Sequence, residues 1–197
     1  AAITGAGSSH EQRERVMDVN AGGTETIVEA AENAGVDRIV LASSCNVYGD
    51  TYAEHITEYD DPAPANPYAE SKLRAEEICE ESGLDNVSLR LATNFGYSPG
   101  VRFNLVVNAF VFRALMDEPL TVYGDGSNWR PYLHVRDTAR VFEDALTWDP
   151  GVYNVGWDNV RIEDVAAAVA TELDRSVETD YLRERHPGPS YHANFDR

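Results

Sequence analysis

Asn66-Pro67-Tyr68-Ala69-Glu70-Ser71-Lys72 carries the signals of a helix start. Asn66 can cap it, Pro67 suits the first helical position, and Gly83, after Glu81 and Ser82, can end it. Tyr68 and Lys72 are one turn apart, so both side chains fall on one helical face. A free phenol titrates near ~10, and a cation within a few Å favours the phenolate. The pair is a candidate proton carrier, although the same spacing also arises by chance on a solvated helix. Lys72 is the only lysine in the chain.

The 197 residues allow one large domain or a domain plus a lobe, and a hydrophobic share of 43% supports a buried core. Asp+Glu is 34 against Lys+Arg 16, a net charge of -18, which argues against nucleic acid and anionic membranes as partners. All the basic residues except Lys72 are arginine. This pattern resembles proteins of organisms that accumulate molar salt. There an acidic surface stays hydrated, and a Debye length of ~3 Å screens its self-repulsion. An ordinary acidic protein would share the charge. On the halophilic reading, a surviving lysine is kept for chemistry.

No run of about 18 apolar residues predicts a membrane span. The start, Ala1-Ala2-Ile3-Thr4-Gly5, lacks the basic region of a signal peptide, so a cytoplasmic location is expected. Cys45 and Cys79 fall in segments expected to be buried as free thiols. No Cys/His cluster has metal-ligand spacing, and no metal is expected.

Along the chain, Thr4-Gly5-Ala6-Gly7 has too few spaced glycines for a dinucleotide loop. Residues 11–34 have a helical pattern, with a break expected near Gly22-Gly23 and a stop at Gly35. Arg38 to Ala42 is a continuous apolar run, as in a parallel strand buried on both faces. The helix at 67–82 and a strand at 87–92 continue the alternation of βαβ units, whose chemistry gathers beyond the C-terminal strand ends. That places Ser43, Ser44, Thr93, Asn94 and Tyr68 at one crevice. Beyond Gly96, helices are predicted over 104–116, 136–147 and 162–173, with strands over 120–123, 131–135 and 152–155. Residues 174–197 carry no clear pattern.

Six ordered segments resemble the extended short-chain dehydrogenase/reductase family, in its NAD-dependent nucleotide-sugar epimerase/dehydratase branch. They are Ala1-Ala2, Asn20-Ala21-Gly22-Gly23-Thr24, Ser43-Ser44-Cys45-Asn46-Val47-Tyr48-Gly49, Pro67 to Lys72, Trp129 to Asp137, and Val152-Tyr153-Asn154-Val155-Gly156. The resemblance implies an α/β fold with a Rossmann-type doubly wound parallel sheet and a smaller α/β substrate-binding lobe. Residues 1–95 would be the C-terminal half of the NAD-binding domain. Residues 96–197 would be mainly the lobe, with about 129–156 returning to the sheet. The family's glycine-rich NAD loop and ribose-binding acid are expected before Ala1, so N-terminal βα units are absent from this chain.

By the same resemblance, Tyr68 is the base, Lys72 lowers its pKa and holds the cofactor ribose, and Ser44 holds the reacting hydroxyl. Ala2, Asn20, Ser43, Tyr68, Lys72 and Leu91 are assigned to NAD. Ser44, Thr93, Asn104, Tyr123 and Arg130 are assigned to a nucleotide-sugar. Arg130 suits bidentate diphosphate binding or a surface ion pair. Asn104 could meet the ligand at a helix start or simply cap it, and Tyr123 could stack on the base or pack in the core. His134 is expected to be structural and Asp137 a helix cap.

Thr93 stands where many epimerases carry Asn, and Cys45-Asn46 where sugar 4,6-dehydratases carry an Asp-Glu pair. The leading expectation is therefore an epimerase of the UDP-glucose 4-epimerase type. A dehydrogenase, reductase, dehydratase or decarboxylase on the same scaffold is the alternative. A catalytically silent NAD-binding scaffold is the rival of another class. A homodimer through the 11–34 and 67–82 helices is also implied.

Overall fold

The computed structural model describes residues 2–4, 12–51, 55–174, 176–185 and 190–196. Its main sheet is parallel, with β1 (Arg38–Ser44), β2 (Asp85–Leu91) and β6 (Gly151–Val155) in the order β1-β2-β6. Alternation along β2 divides the two faces. Val87 and Leu89 pack with Val141, Phe142 and Ala145, which lie in or just after helix α5 (Val135–Asp144). Arg90 points the other way, to Glu76 on helix α3 (Pro67–Glu81). Helices cover this sheet, which is why β1 can be apolar through its middle, whereas β2 alternates Val87 and Leu89 with Ser88 and Arg90.

The start of α3 follows its capping chemistry. The Asn66 side chain accepts from the Ala69 N–H at 3.0 Å, and Pro67 occupies the first turn. The chain leaves the helix at Ser82, one residue before Gly83. Upstream, the expected break at Gly22-Gly23 does not occur. Helix α1 (Arg13–Met17) runs through a π-helical turn, Asp18–Gly22, into α2 (Gly23–Asn33). The wider turn absorbs an extra residue without ending the helix. Gly35, with φ +69°, then reverses the chain.

The second half builds a separate core. Helices α4 (Val106–Leu115) and α6 (Ile162–Glu172) pack Phe110, Ala114, Val165 and Val169 against Leu120 and Val122 of β4 (Leu120–Tyr123). The tail without a clear pattern contains β8 (Thr179–Leu182), which pairs in parallel with β4. Four residues are too few to show a period in the sequence, so only the pairing reveals the strand. A third sheet joins β3 (Thr93–Phe95), β5 (Trp129–His134) and β7 (Asp158–Arg161) in that order. Within 129–156, β6 thus enters the main sheet, whereas β5 pairs with β3 and β7.

His134 Nδ1 accepts from the Arg136 N–H at 3.3 Å and caps α5. Asp137 is therefore not the cap; it pairs with Arg140 at 3.1 Å on the surface. Cys45 and Cys79 are buried free thiols. No helix among the described residues is long and apolar enough to cross a membrane.

Candidate active site

A crevice of about 500 Å³ opens beyond the C-terminal ends of β1 and β2. The end of β1 sends adjacent serines in opposite directions. Ser43 donates to the buried Glu76 carboxylate on the α3 side. Ser44, extended at φ -154° and ψ 140°, caps the following 3-10 turn by accepting from the Asn46 N–H at 3.2 Å. It also hydrogen-bonds Tyr68 from the first turn of α3. One turn on, Lys72 Nζ donates to the Ala42 main-chain oxygen at 2.8 Å and lies 6.0 Å from the Tyr68 ring centroid. Ser44, Tyr68 and Lys72 all line the crevice.

Burial pushes the Tyr68 pKa up, while its hydrogen bond with Ser44 and the charge of Arg102 pull it down. Without a cofactor, Lys72 is not among the groups that lower it. The cation acting on the phenol is Arg102, from the loop after β3. The Lys72 ammonium is tied to the Ala42 carbonyl, and burial depresses its own pKa, opposed by the charge of Glu76. A helix carrying the tyrosine and lysine at this spacing does not, by itself, put the ammonium on the phenol oxygen.

Glu76 lies one further turn along the same face. Arg90 Nε reaches both of its oxygens, at 3.1 and 3.2 Å, and a terminal guanidinium nitrogen reaches one at 2.8 Å. Arg90 also donates to Tyr48 at 2.8 Å, and Tyr48 donates to Asn154 Oδ1 at 2.7 Å. Every charge in this buried network has a partner, which keeps the sheet-facing side of α3 in place. The stripe Tyr68, Lys72, Glu76 at helical spacing was a legible sign of an inward carboxylate. Its partners were not, because they come from two other strands and a turn.

The crevice has a sharp charge asymmetry. Lys72, Arg102 and Arg130 line it, and no Asp or Glu does among the described residues. In a chain with 34 acidic residues, this marks a site for an anion. Arg130 projects from β5, and its charge acts on the buried Tyr191 phenol. Arg102 and Tyr191 sit in loop segments without periodic signal, so neither was foreseen. Among the described residues, no group of three or more His, Cys, Asp or Glu could hold a metal ion.

Of the other assigned residues, Ala2, Leu91, Thr93 and Asn104 line the crevice, as does Ser43. Asn104 precedes rather than starts the helix, which begins at Val106. Asn20 is not at the crevice wall. Its amide accepts from Ile3 N at 2.7 Å and donates to Ile3 O at 3.0 Å and Ser71 Oγ at 2.9 Å, so it anchors the segment carrying Ala2. Tyr123 lies away from the crevice, half exposed on β4, with the Arg185 guanidinium over its ring at 5.9 Å. The Thr4 to Gly7 stretch falls outside the described residues beyond Thr4.

A parallel α/β sheet with a serine, tyrosine and lysine converging at its C-terminal edge defines a dinucleotide-dependent enzyme scaffold. The model of the NAD dependent epimerase/dehydratase family matches residues 1–156, and the chain belongs to this family. The low-salt glycan biosynthesis protein Agl12 of Haloferax volcanii is 35% identical over 162 residues, covering 77% of this chain and 52% of that protein. A UDP-glucose 4-epimerase of Streptomyces lividans is 31% identical over 166 residues, covering 77% and 50%. Among solved structures, MoeE5 in complex with UDP-glucuronic acid and NAD matches with a TM-score of 0.88 at 30% identity, over all of this chain and 68% of that one. The chain spans about half the length of the curated relatives named here.

NAD is the cofactor of this family. The donor set fits the nicotinamide-ribose end of a dinucleotide. Lys72 offers hydroxyl-binding N–H groups, and Ala2 and Leu91 offer apolar walls.

Proposed function

We propose that the intact protein is an NAD-dependent nucleotide-sugar epimerase of the UDP-glucose 4-epimerase type. The observation that carries this is the meeting of Ser44, Tyr68 and Lys72 in a crevice that, among the described residues, is lined by three cations and no carboxylate. The cations suit the two phosphates of a nucleotide-sugar, with Arg130 as the bidentate clamp. Thr93 and Asn104 offer further polar contacts to the same ligand.

NAD, if bound here, would supply a reversible hydride acceptor for a sugar carbon. Tyr68, as phenolate, takes the proton of the hydroxyl on that carbon, and the Ser44 hydroxyl donates to the oxygen as charge develops. Once the keto-sugar had turned and been reduced on its other face, Tyr68 would give the proton back to the oxygen. Lys72, which donates to the end of β1 at Ala42, would hold the cofactor's ribose hydroxyls.

The environment of the Cys45-Asn46 pair favours epimerisation over dehydration. Cys45 is buried, its thiol is pushed up to about 12 mainly by burial, and it donates to the Arg90 main-chain oxygen. Asn46 lines the crevice with a neutral amide. Neither supplies the acid/base pair that eliminating water needs.

The test is incubation of the intact protein with NAD and UDP-, GDP- and dTDP-sugars at molar salt. Isomerised sugar without net cofactor reduction is expected, whereas net reduction would favour a dehydrogenase. A homodimer through the α1, α2 and α3 layer belongs to the same reading. Val19 and Ile27 are exposed on that layer, and Ile27→Glu is expected to give a monomer in light scattering.

A further inference from the structure

We propose that Tyr132 is a ligand-binding residue whose hydroxyl donates, beside Arg130, to an anionic oxygen such as a nucleoside diphosphate carries. The inference rests on the nucleotide-sugar reading and names a contact within it.

Tyr132 is 2% exposed, and its ring belongs to the core of the lobe. Phe95 meets it edge-on at 6.4 Å between centroids. Its backbone is held on both sides, opposite Thr93 in the β3 pairing and by the Trp157 N–H donating to its carbonyl at 2.7 Å. The position is rigid, yet the hydroxyl has no hydrogen-bond partner among the described residues. An unmade hydrogen bond on a buried hydroxyl destabilises a fold, and phenylalanine would fill the same space without that cost. Tyr132 is also one of the residues that line the crevice, so its buried hydroxyl belongs to a side chain at the border of core and ligand space.

There is a second buried phenol. Tyr191, 3% exposed, lies beside Arg130, whose charge opposes the effect of burial on its phenol. Arg130 therefore lies near two buried phenols, and its charge favours the ionisation of both. Arg130 and Tyr132 offer N–H or O–H hydrogens, and neither faces a carboxylate in the crevice lining. A cation and a free O–H donor side by side are complementary to an oxyanion.

The experiment is a double-mutant cycle on the intact protein, with wild type, Tyr132→Phe, Arg130→Gln and the double variant. Calorimetry with UDP, dTDP and GDP identifies the diphosphate that wild type binds best, and its Kd is measured in all four. Urea unfolding is measured without ligand. Tyr132→Phe is expected to keep or raise the urea midpoint and to weaken diphosphate binding about five- to tenfold. In the Arg130→Gln background the same change should weaken it less than twofold.

Unchanged affinity in Tyr132→Phe would overturn the inference, because the hydroxyl then serves only the interior. An equal loss in both backgrounds would overturn it too, since the hydroxyl would meet a different part of the ligand. A loss accompanied by a lowered urea midpoint would mark a structural role instead. If wild type binds none of the three diphosphates, the nucleotide-sugar reading falls and the inference falls with it.

Discussion

Lys72 Nζ donates to the main-chain oxygen of Ala42 at 2.8 Å. This bond ties the helix that presents Tyr68 to the strand end that presents Ser44. It also leaves the phenol with Ser44 and Arg102, rather than Lys72, to offset its burial. Before a cofactor brings its positive ring, Tyr68 is held neutral. In the cofactor-free protein, ultraviolet difference titration of wild type against Tyr68→Phe should show this residue ionising at higher pH than a free phenol. NAD should bring its ionisation to lower pH. In turnover, Tyr68→Phe should abolish activity while calorimetry still detects NAD, and undiminished turnover would remove Tyr68 as the base.

The adjacent serines should separate in their effects. Ser44→Ala removes the donor at the reacting oxygen and should lower kcat about 10²–10³-fold. Ser43→Ala takes one hydrogen bond from the buried Glu76 carboxylate, so it should cost about 1–3 kcal/mol of stability. Its effect on kcat should be far smaller. Steady-state kinetics and urea unfolding on both variants check this, and a reversed order would reassign the two hydroxyls.

Arg90 and Glu76 are each about 5% exposed and bonded through three contacts. Removing one partner leaves the other charge buried. Arg90→Met should destabilise by about 3–5 kcal/mol, and Arg90→Met combined with Glu76→Leu should recover much of the loss. Chemical denaturation measures both. Independent, additive losses would mean that the pair is not coupled.

Cys45 should make the protein sensitive to alkali. Its thiol keeps its proton in the fold to about 12, against an ordinary value of 9.0, because burial disfavours the thiolate. Between those values the folded state binds more protons than the unfolded one. Stability is therefore complete below pH 9 and falls as pH rises toward 12, by up to about 1.4 kcal/mol per pH unit for each such group. Tyr48, raised from 10.0 to about 12, and Cys79, raised from 9.0 to about 11, act in the same direction. Urea midpoints from pH 8 to 11 should decline more gently in Cys45→Ala than in wild type. Parallel slopes would contradict the assignment.

Local features were legible because their causes lie within one turn or one strand. Asn66 and Pro67 mark the start of α3 through groups two or three residues away. The apolar run at 38–42 announces a parallel strand, though these five residues are half-buried and only Ser43 and Ser44 are fully enclosed. The Tyr68-Lys72 spacing, and the ordered motifs around it, reach the family by residues alone.

Tertiary structure decided where side chains of similar local standing end up. Ser43 turns to Glu76 and Ser44 to Tyr68, because successive residues on a strand face opposite sides and only α3 gives those sides their meaning. Asn20 is committed to Ile3 and Ser71, and Tyr123 to the outer face of β4. Arg102 reaches Tyr68, and Tyr132 is stranded beside Arg130, by packing between segments far apart in the chain. Short-range backbone preference determines where elements begin. Burial, charge and hydrogen bonding between distant elements determine which of their residues can do chemistry.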